Sequence, residues 1–131
     1  MTVLAQARTR FTRLLADSSA APNAQLFARD VLDEWGLAAL AEPACAGIEA
    51  FVGWVLGHGS NVQVEIVLVW DADQELLFAE VADHGQQLPG DDLPGAGGCE
   101  ERGAAHRGHG RVLWASYSTA RPEQLAPGGA R

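Results

Sequence analysis

The chain has 131 residues, 47% of them hydrophobic, and a formal net charge of −8. That is enough apolar side chain for one packed core and too much for wholesale disorder. All the basic residues are arginine, and none occurs between Asp30 and Asp92. So acidic a surface repels phosphate backbones and anionic lipid, which argues against nucleic-acid and membrane-surface roles and leaves room for a basic partner or for a ligand held through a divalent metal. No uninterrupted apolar run reaches the roughly 20 residues of a bilayer span. The N-terminal MTVLAQARTRF lacks an apolar stretch followed by a small-residue cleavage site. The two cysteines, Cys45 and Cys99, do not make a disulfide framework. A cytoplasmic protein is the expectation.

In chain order, residues 9–16 (TRFTRLLA) read as a short edge strand and residues 17–22 as a turn. From Asn23, the apolar residues Ala24, Phe27, Ala28, Val31 and Trp35 recur at helical spacing, and Gly36 stands where a C-cap belongs. A second helix starts near Pro43 and buries Cys45, Ile48, Val52, Val55 and Leu56; it ends at Gly57-His58-Gly59. The period then changes to two. Residues 61–70 and 75–82 form a hairpin around Asp71-Ala72-Asp73. Residues 83–110, rich in glycine and histidine, read as one long loop. Residues 111–119 (RVLWASYST) read as a last strand from their Val, Trp, Tyr and Thr, with a helix as the alternative. Residues 1–120 are expected to form a single domain and 121–131 a frayed tail. The fold class is α+β: a two-layer α/β sandwich whose mostly antiparallel sheet carries helices on one face.

The strings FARDVLDEWGL (27–37), VADHG (81–85) and GRVLW (110–114), in this order of elements, resemble the ATP-binding proteins of the GHKL (Bergerat) fold. They are most similar to its actinobacterial branch related to anti-sigma-factor serine kinases. The resemblance implies a nucleotide site, ATP with Mg²⁺. In the family a helix glutamate acts as general base, and an asparagine four residues later holds the metal. Glu49 matches the glutamate, and Gly53 stands at the asparagine position without a side chain to ligate a hard cation. Asn61 lies too far along to replace it. The adenine-reading aspartate and its following glycine match Asp83 and Gly85, whereas Gln87 occupies the later glycine position. Strand parity supports Asp83 independently, since Leu77, Ala79, Val81 and Asp83 share one face. Gly108 and Gly110 match a remnant of the phosphate-binding loop.

Each of these residues also has a plainer reading. Glu49 suits a solvated helix face, Asp83 an Asx turn, and His58 a helix terminus. Trp54 either fills space that a nucleotide would take or anchors a partner. Cys99, His106 and His109 do not have a recognised zinc spacing, so no metal site is expected. The resemblance, with Gly53 and a shortened lid, implies a regulator of the serine-kinase type that has become a pseudoenzyme. It would act by protein binding in transcriptional partner switching; the alternative is an active Mg-ATP-dependent protein serine kinase. The implied partner is a sigma factor, an anti-sigma antagonist or a DNA-binding regulator, and a homodimer is compatible with the family.

Overall fold

The computed structural model describes residues 7–59 and 62–119. Asn61 and the expected C-terminal tail lie outside the described residues. The elements run β1 (Ala7–Leu15), α1 (Ala20–Glu34), α2 (Ala41–Gly57), β2 (Gln63–Asp71), β3 (Leu76–Asp83), β4 (Glu101–Arg107) and β5 (Gly110–Ser118). The five strands form one sheet in the order β1-β2-β3-β5-β4, and every neighbouring pair is antiparallel. Both helices lie on one face, and this is the two-layer α/β sandwich with an antiparallel sheet that the sequence predicts.

Alternation in the strands makes the core. Val64, Ile66 and Leu68 of β2, Leu77, Ala79 and Val81 of β3, and Leu113, Ala115 and Tyr117 of β5 are buried on the helix side. Ala28, Val31 and Leu32 of α1 and Ile48, Phe51, Val52 and Val55 of α2 meet them. Each of the larger side chains, Val, Leu, Ile and Phe, contributes about 1.5–3 kcal/mol by leaving water. The interlock between layers is tightest at Gly47, where any Cβ would overlap the Tyr117 hydroxyl. That hydroxyl passes the helix and donates to the Ala96 carbonyl at 2.7 Å. The opposite face of the sheet carries no helix among the described residues. It mixes exposed Phe11 with the half-buried Val67, Val69, Phe78 and Trp114.

Three expectations need correcting. Helix α1 begins at Ala20, not Asn23, because the Asp17 carbonyl accepts the Ala20 amide and starts the first turn. Pro22 falls in that turn, where its missing N–H is no loss. Its C-terminus is as expected: Gly36 has φ +76°, the Gly36 amide donates to Asp33 O and the Leu37 amide to Leu32 O, a Schellman motif. Second, residues 83–110 are not one loop. Glu101–Arg107 is a strand, paired to β5 through a tight hairpin in which Gly108 takes φ +58°. The neighbouring strand imposes this pairing, because ERGAAHR has no β-branched residue to announce it. Third, Ala38–Gly57 is one helical stretch of 20 residues with mean hydropathy 1.4, long and apolar enough by composition to cross a bilayer. More than half of it is buried between α1 and the sheet; here its apolar face makes the core.

Candidate functional site

The last inward-facing residue of β3 is Asp83, and the residue opposite it on β5 is Arg111. Parity therefore aims both into the helix-side layer, where the side chains are 1% and 0% exposed. The Arg111 guanidinium lies side-on to the carboxylate. Its Nε donates to Asp83 Oδ1 at 2.7 Å and its Nη2 to Oδ2 at 3.0 Å. Nη1 donates to the Gln87 carbonyl at 2.7 Å, and Nη2 also reaches the His58 carbonyl at 3.2 Å. Four of the five guanidinium N–H groups are thus engaged with charge or carbonyl oxygen. Asp83 Oδ1 also accepts the Gly85 amide at 3.1 Å, the Asx turn predicted as its plainer role.

Aromatic rings close the site from the helix side. The Arg111 guanidinium carbon sits 4.9 Å from the centre of the Trp54 ring. On its own helix, Trp54 stacks with His58 at 3.9 Å between centroids and 9° between planes. His58 caps the end of α2, with Nδ1 2.8 Å from the Trp54 carbonyl. The buried Trp54 Nε1 has no hydrogen-bond partner among the described residues. Of the two sequence readings of Trp54, the exposed anchor is ruled out, since the residue is 9% exposed. Gly85 completes the wall: any Cβ there would collide with the Arg111 guanidinium.

The remaining candidates lie elsewhere. Glu49 and Gly53, four residues apart on α2, both face solvent, and a Cβ built on Gly53 would meet no atom within 4 Å. Gly108 is in the β4–β5 turn and Gly110 opens β5, its Cα pressed against the Asp83 carbonyl so that a Cβ would clash. Residues 111–119 are strand, not helix, through Ser118. The connector 84–100 contains only a single helical turn, Gly90–Asp92, and packs Ala96 against both Gly47 and the Tyr117 hydroxyl. Cys45 packs as a small apolar residue, and burial raises its thiol pKa. Among the described residues, no three His, Cys, Asp or Glu side chains are placed to hold a metal ion. A cleft of about 310 Å³ opens beside the same strand ends, lined by Arg13, Glu65, His84, Arg107 and His109 among others. Its charges are already paired in part, Arg13 with Glu65 at 3.3 Å.

A solved structure supplies the comparison: the RsbU and RsbW domains of Rv1364c from Mycobacterium tuberculosis, with a TM-score of 0.63 and 20% sequence identity. The fold is shared. The match covers 85% of this chain and 32% of that one, so this chain spans about a third of the length of the structure it resembles. No protein-family model matches the sequence, and no curated protein matches it.

Sequence reasoning placed Asp83, Gly85, Trp54 and His58 individually but missed Arg111, the residue that joins them. The signal was available. Arg111 has the same parity as Leu113, Ala115 and Tyr117, which puts an arginine on the buried face of a strand. A buried guanidinium needs a carboxylate, and a hairpin-like β3–β5 pairing leaves Asp83 as the one in reach.

Proposed function

We propose that this chain is a regulatory module on a GHKL-type scaffold that acts by binding a protein partner in transcriptional partner switching, without phosphoryl transfer. The observation that carries the reading is at the phosphate end. Transfer from ATP is almost entirely positioning and charge neutralisation by metal and donors. The segment between β3 and β5 holds a short connector and a hairpin strand in place of a helix whose N-terminus could bind phosphate. Gly53 has no ligand to offer a metal, and Glu49 beside it faces open solvent. The residues present therefore do not fit Mg-ATP.

The helix layer suits a basic partner. Asp30, Asp33, Glu34, Glu42 and Glu49 are all exposed there, with Arg29 the one basic residue on either helix. The likeness to a structure containing an RsbW domain supports a sigma factor or an anti-sigma antagonist as the class of partner; a basic DNA-binding regulator is the other candidate, held without contact to DNA.

The test incubates the purified chain with candidate sigma factors and anti-sigma antagonists, with and without Mg-ATP. Binding is measured by interferometry and transfer by intact mass. The reading expects a complex that forms equally well without nucleotide, weakens with salt as acidic-basic contacts do, and leaves every partner at its unmodified mass. A partner serine phosphorylated in a Glu49-dependent way would overturn it in favour of an active kinase.

A further inference from the structure

The site at the end of β3 has the groups a purine amino edge would use, and one of the chain's own side chains already uses them. Three features converge on the Arg111 guanidinium. The Asp83 carboxylate accepts two parallel N–H bonds from Arg111, the pattern it would offer an amidine-like edge. The Trp54 ring covers one side of the guanidinium. Gly85, whose lack of a side chain would let a base approach, instead admits the guanidinium itself.

We propose that Arg111 is a built-in occupant of the Asp83 subsite: its flat, N–H-bearing head fills the place of a base. The subsite is therefore specific for planar amidine-like groups and closed to adenine nucleotides while Arg111 is present. A base cannot reach Asp83 without expelling a charge-assisted, fourfold-bonded guanidinium into a position with fewer partners. The inference goes beyond the protein-binding reading, which concerns the phosphate end and the acidic helices. A chain that bound adenosine through Asp83 would refute the closed subsite and leave that reading standing.

Removal of the side chain beyond Cβ turns the occupied subsite into a receptor for the missing fragment. Arg111→Ala lacks the atoms of N-ethylguanidinium, and that cation is the first probe; adenine is the second. In thermal-shift measurements the native chain is expected to show no response to adenine, ADP or ATP, with or without Mg²⁺, at millimolar concentration. Arg111→Ala is expected to melt about 4 °C higher at an N-ethylguanidinium concentration ten times its Kd. Asp83→Asn in the Arg111→Ala background should abolish the response. A native chain stabilised by adenine nucleotide, with the effect lost in Asp83→Asn, would overturn the proposal. So would a folded Arg111→Ala that responds to neither probe.

Gly85→Ala gives a readout that does not depend on the folding of Arg111→Ala. Its methyl group competes with the guanidinium for one space, so it should lower the melting temperature by roughly 5 °C or more in the native background. In an Arg111→Met background, where the flexible thioether can yield, the same change should cost less than half as much. Equal cost in the two backgrounds would show that Arg111 does not sit against Gly85 and would sink the proposal.

Discussion

Replacing Asp83 by leucine removes the carboxylate and leaves the Arg111 cation buried, with the carbonyls of Gln87 and His58 and the Trp54 ring around it. Breaking a buried pair from one side costs about 3–5 kcal/mol, because the surviving charge keeps its desolvation penalty. The pair here belongs in that regime and not with surface ion pairs, since neither side chain is more than 1% exposed. Arg111→Met leaves the opposite charge buried without its cation, and should cost a similar amount. The double variant Asp83→Leu/Arg111→Met has no stranded charge. It still loses the bonds to Gly85, Gln87 and His58, at about 1 kcal/mol each, and regains part of that through apolar burial. The expectation is therefore a change of order: the double variant is more stable than either single one. Each single variant should melt roughly 10–20 °C below the native chain. The Asx bond to Gly85 is lost equally in Asp83→Leu and in the double variant, so it drops out of the coupling energy. Urea unfolding of all four proteins measures the cycle. Additivity within about 0.5 kcal/mol would mean the two groups do not interact, and the description of the site would fail with it.

Trp54→Phe should leave stability within about 1 kcal/mol of native, because it keeps a ring under the guanidinium and removes a buried N–H that has no partner among the described residues; Trp54→Ala should cost about 3–5 kcal/mol, and chemical denaturation distinguishes the two. Gly53→Ala should stabilise by about 0.5–1 kcal/mol, the usual gain at an exposed helix interior with room for a methyl group. Gly53→Asn should fail to create Mg-ATP affinity by calorimetry, since the base end stays closed. The alkaline limb of stability should report Tyr117, the single tyrosine of the chain. Burial raises its phenol pKa well above the ordinary value near 10, so the native state keeps a proton that the unfolded chain releases. Cys45, whose thiol is raised in the same way, starts the fall near pH 9, and Tyr117 adds to it above about pH 10 by up to about 1.4 kcal/mol per pH unit. Tyrosinate absorbance should appear together with loss of tryptophan near-UV dichroism, and tyrosinate forming near pH 10 in a still-native protein would refute the burial.

How much was legible in the sequence depended on whether a residue's environment is set by its own periodicity or by a neighbour. The helices and the β2–β3 hairpin follow from apolar spacing, because each must bury one face, and β5 from its β-branched and aromatic residues. Strand β4 does not: ERGAAHR is mostly exposed and takes its conformation from the free edge of β5. A 28-residue stretch read as loop inside so small a chain was itself the warning, since compact domains rarely contain one. The site divides in the same way. Family spacing located Asp83 and Gly85, and backbone parity showed where Asp83 points. Neither says whether the carboxylate is available. That depends on β5 lying beside β3 in the register that sets Arg111 opposite Asp83, a non-local fact. One residue of slip would send Arg111 to the helix-free face and leave a buried carboxylate with no cation across from it. The pair thus has a structural role whatever the ligand history of the pocket: it penalises the wrong β3–β5 register by stranding a charge. The buried end of β3 needs its carboxylate satisfied, and an arginine from the adjacent strand satisfies it with two parallel N–H bonds.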